Sequence, residues 1–410
     1  MKDQLKRDCW CGNKNLNYFS DDYSICTNCG TIVSQTGLSS EQVQVRNDSE
    51  DFYGREYWLS HQSEDLGFPN IYQRARQDLP ERCLYWLNTL LTYKLPPAQV
   101  LELGCGHGGF VALMQWAGFH ATGLELSPWV VDFAKQTFNI PILLGSIEEH
   151  QLERQSFDVI VLNDVLEHLS DPVATMRHCI SLLKTTGILL VQTPNYIEGK
   201  TYPDMLANDD PFLETLESIE HLYLFNQRSV QQLFESLNCN VLQHKPALFD
   251  YDMYFIVSQQ PLVENSIEQI SNSLLVNPSG RIIQALRDQA DEMEQLRQKW
   301  LAAEADRSAR LIIINQLSQQ LKESEADRAE RLMIINQLSQ QLKESEADRA
   351  ECLMTIDQLS QQLKESEADR ANRLMMMNQL SQQLKESEAD RANRLMMMNQ
   401  LSQQLTNFTE

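Results

Sequence analysis

Val100-Leu-Glu-Leu-Gly-Cys-Gly-His-Gly-Gly109 runs a short apolar strand into a glycine-rich turn, and residues 110–116 continue as a helix. A strand, a turn with glycine at alternate positions and a helix N-terminus together cradle a nucleotide-like ligand, because glycine lets the backbone approach where a Cβ would collide. Two glycine patterns overlap. Gly104, Gly106 and Gly109 satisfy G-x-G-x-x-G, and Glu102, Gly104, Gly106 and Gly108 satisfy acid-x-G-x-G-x-G. The next strand, residues 120–125, ends at Glu125, about 20 residues on, where a ribose would offer its hydroxyls. The turn by itself leaves both patterns open.

Composition bounds what surrounds it. A chain of 410 residues suggests two or three domains, and a hydrophobic fraction of 42% suffices for a sizeable core. The net charge of −23, carried mainly by the first 300 residues, repels phosphate backbones and argues against a nucleic-acid substrate. No apolar run reaches the ~18 residues of a membrane span. Residues 1–10 are too polar for a signal peptide, so a soluble cytoplasmic protein is expected. Nine cysteines, four of them in the first 29 residues, fit reduced thiols plus one metal site better than a disulfide framework.

Those four are Cys9-x-Cys11-Gly12 and Cys26-x-x-Cys29-Gly30. The second pair has knuckle spacing, and the first is one residue shorter. Tetrahedral, structural zinc is the natural reading, set against four unrelated buried thiols. Residues 35–75 are polar, with aromatics at Phe52, Tyr53, Tyr57, Trp58 and Phe68. They read as a lid above the nucleotide site or as a plain connector.

From about residue 76 to 262 helix and strand patterns alternate, which predicts an α/β doubly wound, Rossmann-like sheet. Strands are expected at 100–103, 121–125, 142–144, 157–162 and 188–192, with a closing hairpin at 241–245 and 253–258. Ser127-Pro128 and Asp171-Pro172 open helices, the second expected to run to Gly187.

Residues 156–169, Ser-Phe-Asp-Val-Ile-Val-Leu-Asn-Asp-Val-Leu-Glu-His-Leu, resemble the fourth-strand motif of class I S-adenosylmethionine-dependent methyltransferases, within the small-molecule and sugar methyltransferase group. Thr193-Pro-Asn195 and Glu220-His-Leu-Tyr-Leu-Phe225 match the same group, so four motifs stand in order. The resemblance implies S-adenosylmethionine above Gly104, Gly106 and Gly108, with Glu102 as the leading acid. It further implies Glu125 on both ribose hydroxyls, Leu126 packed on adenine, Ser146 and Ile147 at the adenine edge, and Asn163 lining the site. An Asp is common where Ser146 stands. Methyl transfer needs alignment, and an acceptor proton needs a base; His168 and His221 are the candidates.

After residue 262 the pattern changes. Residues 263–280 read as a linker, and no glycine or proline follows Gly280. From Leu311 the chain repeats every 21 residues, at Leu332, Leu353, Leu374 and Leu395, with Asp327 and Arg331 four apart and again Asp369 and Arg373. Three heptads per repeat predict a coiled coil over 281–410, read as parallel and oligomeric. The expectation is an enzyme with a zinc knuckle at 1–34, acting on a small-molecule or sugar acceptor, and oligomerised or tethered by its tail. The rivals are an RNA methyltransferase and a non-catalytic coiled-coil scaffold.

Overall fold

The computed structural model describes residues 7–65, 67–338 and 345–406. It divides into two compact units, Met1–Leu286 and Arg287–Glu410. The first begins with β1 (Leu16–Tyr18), β2 (Tyr23–Cys26) and β3 (Ile32–Ser34), followed after the connector by α1 (Ile71–Gln77) and α2 (Leu84–Tyr93). Then come β4 (Gln99–Leu103), α3 (Gly109–Ala117), β5 (His120–Glu125), α4 (Pro128–Phe138), β6 (Ile142–Leu144), β7 (Phe157–Asn163), α5 (Pro172–Leu182) and β8 (Leu183–Pro194). The unit continues with α6 (Tyr202–Ala207), β9 (Tyr223–Leu224), α7 (Gln227–Ser236), β10 (Val241–Lys245), β11 (Asp252–Ser258) and α8 (Ile267–Leu275).

The main sheet has the order β10-β11-β8-β7-β4-β5-β6. β8, β7, β4, β5 and β6 run parallel, and the β10–β11 hairpin closes one edge antiparallel. Central strands are covered on both faces, which is why Val159, Ile160, Val161 and Leu162 form an unbroken apolar run with no exposure. The chain leaves β4 towards β5 and β6, then returns to β7 and β8. The crevice of such a sheet opens at that reversal, outside the carboxyl ends of β4 and β7. Glu102, the glycine turn and Asn163 sit there.

Local signals act as their chemistry requires. The Ser127 side chain accepts from Val130 N, and Asp171 from Ala174 N, each followed by proline in the first helical turn. Four expectations need revision. Helix α5 ends at Leu182, not Gly187; Leu183 already pairs with Phe157, and the register shifts before Val159, so β8 takes in the β-branched Thr185 and Thr186. The 263–280 stretch holds α8, fixed by a Ser266–Gln269 capping box and by buried Ile270 and Leu274. The cysteine segment is not a separate body: β9, two hundred residues later, adds the last strand to a sheet ordered β1-β2-β3-β9.

The fourth concerns the direction in which the tail helices pair. The second unit holds α9 (Gly280–Leu338) from Arg287 onward and α10 (Ser345–Thr406), which meet through Asp306–Arg373, Arg310–Asp369 and a Ser387–Gln289 hydrogen bond. Rising numbers on one helix face falling numbers on the other, so the pairing is antiparallel and within one chain. An Asp and an Arg four apart form a self-complementary pair when reversed, and periodicity alone carries no direction. Among the described residues no helix is long and apolar enough to cross a membrane.

Candidate cofactor and acceptor site

On the cofactor side, Gly104, Gly106 and Gly108 all adopt positive φ, at 62°, 50° and 79°. The turn is clipped from behind. His107 Nδ1 accepts from Gly109 N at 3.0 Å, so its Nε2 carries the proton and donates to Asp78 Oδ2 at 3.1 Å. Burial lowers the His107 pKa. Burial works to raise Asp78, but His107, Arg74 and Arg82 outweigh it and hold that carboxyl low.

Glu125 faces the same turn. Its Oε2 accepts from Gly106 N at 3.1 Å, and its Oε1 from Leu126 N at 2.9 Å and Ser127 N at 3.1 Å. Three of roughly four lone-pair positions are thus filled, and Oε2 keeps one. As it stands the carboxylate can take one hydroxyl; a second requires release of the Gly106 amide. Burial raises the pKa of Glu125, with the amide bonds working against it. Burial, with a hydrogen bond from Asn163 working against it and the Glu125 charge adding to it, raises the Glu102 pKa well above the ordinary carboxylate value and so favours its neutral form. Leu126 is half-buried, Ser146 precedes a short 3₁₀ turn, and the Ile147 side chain is spent in the core.

The connector covers this side. Asp48 accepts from Ser127 Oγ and from Trp129 N, both at 2.8 Å, and so docks on the α4 N-terminus. Trp58 lies on the glycine turn: a Cβ on Gly106 would sit 3.0 Å from its Cη2. Trp58 Nε1 is buried without a partner, and Glu102 Oε2 and the Asn163 amide, which face each other, have no other protein partner. Each such group costs about 1–3 kcal/mol when left unpaired. A ligand carrying both donors and acceptors, as S-adenosylmethionine does, fits that set.

On the acceptor side the other motifs converge. Thr193 Oγ1 donates to Glu167 Oε2 at 2.9 Å, Leu222 N to Glu167 O at 2.8 Å, and Tyr196 N to Phe225 O at 2.8 Å. His168 Nδ1 lies 3.0 Å from Glu220 O, and His221 Nδ1 lies 2.6 Å from Thr215 O. A carbonyl only accepts, so in the neutral form each imidazole carries its proton on Nδ1 and presents Nε2 as the lone pair. Their ring centroids are 4.8 Å apart. Burial, and then His221, push the His168 pKa well below the ordinary value, so it is neutral. The connector reaches this side too. Tyr53 OH lies 2.9 Å from His168 Nδ1, Tyr57 OH donates to Glu220 Oε2 at 2.7 Å, and His61 Nε2 is 3.7 Å from Glu220 Oε1.

Glu167, His168 and His221 bring ligand atoms within 4.8 Å of one another, a donor set that could also hold a divalent cation. Base and ligand make competing demands on Nε2. The four cysteine sulfurs likewise lie within 4.8 Å, with Cys9–Cys29 at 3.5 Å and Cys11–Cys26 at 3.7 Å. Zinc–sulfur bonds of about 2.3 Å require tetrahedral edges of about 3.8 Å, so the set fits zinc. Asn28 N and Asn13 Nδ2 donate to Cys26 Sγ, as they would to a thiolate.

Residues 72–244 match the family described as "Methyltransferase domain". That is the segment whose sheet order, glycine turn and motif contacts have just been described. Residues 72–244 are a class I methyltransferase domain. The strand pairing carries the domain further, through β11. The chain is 35% identical over 130 residues to a ubiquinone biosynthesis O-methyltransferase of Xanthomonas campestris pv. campestris, covering 29% of this chain and 54% of that protein. The namesake from Xanthomonas euvesicatoria pv. vesicatoria is 34% identical over 148 residues, covering 33% and 62%. The chain therefore spans only about half to three-fifths of the curated relatives it matches. Among solved structures, a possible histamine N-methyltransferase from Thermotoga maritima covers 46% of this chain and 96% of its own, at 15% identity and a TM-score of 0.35.

The methyltransferase domain brings together every motif segment read from the sequence. Sequence reading did not name Asp48 or Asp78; it placed Tyr53, Tyr57 and Trp58 in a lid or a plain connector, and Glu220 only in a motif, without the partners given above. The one signal available was the density of aromatics at 52–58 in an otherwise polar connector.

Proposed function

We propose that the chain transfers a methyl group from S-adenosylmethionine to a small-molecule or sugar acceptor. The observation that supports this reading is the buried polar group set around the glycine turn, with Trp58 Nε1 unpartnered and Glu102 and Asn163 facing only each other, beside two histidines whose Nδ1 atoms face carbonyls. The bound cofactor supplies an electrophilic methyl group on a sulfonium. Everything else falls to this chain's residues. Gly104, Gly106 and Gly108 give the backbone its close approach, Glu125 accepts a ribose hydroxyl at Oε2, and Asn163 lines the pocket beside the neutral Glu102. Leu126 packs on adenine, with Ser146 and Ile147 at its edge. Residues 48–61 act as a lid that excludes water and orients the acceptor. His168 takes the acceptor proton at Nε2, with His221 as the alternative base.

The relatives' names support an O-methyl acceptor on a small molecule. Zinc on Cys9, Cys11, Cys26 and Cys29 has no open coordination position, so its role is structural. The tail leaves Ile312, Ile313, Met354, Met375 and Met376 exposed. That supports self-association with a second copy through 281–410, which light scattering of the full chain would test.

The deciding experiment is calorimetric titration of the full chain with S-adenosylmethionine, with NAD as control, followed by an acceptor screen that begins with nucleotide sugars. Saturable binding of the first alone supports the reading. Binding of NAD alone, or of neither, overturns it.

A further inference from the structure

The cysteine segment is bonded to the stretch that carries Glu220 and His221 at nearly every residue. Ile32 pairs with Leu224 and Val33 with Tyr223. Ser34 N donates to Leu222 O at 3.0 Å, Ser34 Oγ to Ser218 O at 2.6 Å, and Leu38 N to Ile219 O at 2.9 Å. Tyr23 OH reaches His221 O at 3.3 Å, and Asn226 Nδ2 reaches Cys29 O at 3.4 Å. Gly30 is so close to Asn226 that a Cβ there would lie 2.6 Å from its Nδ2. The cofactor side, on β4 and β5, makes no comparable use of this segment among the described residues.

Among the described residues β9, two residues long, pairs with no strand but β3, while its flanks are tied by Leu222 N to Glu167 O and by Phe225 O to Tyr196 N. So short a strand cannot hold its own geometry. We propose that the four-cysteine knuckle is a positioning element for the acceptor side: its metal sets β3, and β3 sets Glu220 and His221 through β9. Loss of the metal frees residues 218–226 and leaves the glycine turn and Glu125 intact. This rests on reading the four cysteines as a metal site. Tyr23 and Ser34 are the residues that transmit the constraint, and neither is a ligand.

The test uses the full chain, with bound metal counted before and after removal by a chelator. Amide hydrogen exchange is followed at 218–226 and at 100–125. The expected result is at least about tenfold faster exchange at 218–226, with 100–125 unchanged within about twofold, reversed by added zinc. In the imidazole NMR spectrum His168 and His221 shift, while the distant His120 and His150 do not. S-adenosylhomocysteine affinity stays within about threefold. Because stripping could unfold the chain, the Tyr23→Phe/Ser34→Ala double variant is run with metal retained. It should speed exchange at 218–226 by about fivefold. A chain that carries no metal overturns the metal reading and this inference with it. Metal that can be removed with no change at 218–226 overturns the inference alone, as does a double variant that exchanges like the parent.

Discussion

Glu102 and Glu125 are both buried, on neighbouring strands, and the same substitution should have opposite consequences at the two. Glu125 uses both oxygens to satisfy three backbone amides, from Gly106, Leu126 and Ser127. In Glu125→Gln one oxygen remains. It can serve Leu126 and Ser127, but the new NH₂ then faces the Gly106 N–H, leaving a buried donor unpaired at a cost of about 1–3 kcal/mol. Relief from burying a charge offsets part of that. A net loss of about 2 kcal/mol in urea unfolding is expected. Because the orphaned amide belongs to the glycine turn, S-adenosylhomocysteine affinity should fall about 10- to 30-fold, by calorimetry. Burial favours the neutral form of Glu102, and Gln resembles a neutral carboxylic acid. Glu102→Gln should cost under about 0.5 kcal/mol at neutral pH. A Glu125→Gln protein that unfolds and binds like the parent, or a Glu102→Gln protein that is the weaker of the two, would refute the assignment of charge in this site.

Three further outcomes follow from the same geometry. Tyr57→Phe leaves Glu220 Oε2 without its hydroxyl donor and should destabilise the domain by about 1–3 kcal/mol, whereas Tyr53→Phe leaves His168 Nδ1 on Glu220 O and should cost under about 1 kcal/mol; urea midpoints decide. His168 is neutral because its pKa lies well below the ordinary value, so acceptor turnover should not decline between about pH 7.5 and 6.5, and an acid limb centred at or above about 6.5 would assign the base elsewhere. Asp252 is pushed up to about 8 by burial and by Asp164. A carboxyl raised in the folded state makes the folded chain the stronger proton binder, so its contribution is fully present at low pH and is lost as pH rises towards 8. Asp252→Asn should remove that decline, and at pH about 9 it should be more stable than the parent by at least about 1 kcal/mol.

The geometry of the glycine turn was legible because its signals are local. A strand, its turn and the following helix occupy consecutive residues, and each glycine answers to its own φ. The acceptor side was legible only as motifs. What joins them are contacts across great sequence distance, such as Tyr57 to Glu220 and Asp48 to Ser127, and no periodicity encodes these. The cysteine spacing was readable, but β3 and β9 are too short to announce that they would pair. In the tail the 21-residue period identified the helices and the apolar stripe. It could not distinguish a parallel neighbour from the chain's own second half.

The ion pairs of that tail read the same in both directions. Asp306 and Arg310 meet Arg373 and Asp369, and Asp390 and Arg394 repeat the same spacing one unit further on. Sliding one helix by a whole repeat, about 32 Å of rise, would exchange one box of charges for another of equal quality. Such an array behaves like a vernier with evenly spaced stops. One unit departs from the rule: Cys352 stands where the others place arginine. Any alignment that sets a box against it forfeits an ion pair, so that single residue is the mark by which a degenerate scale acquires a zero.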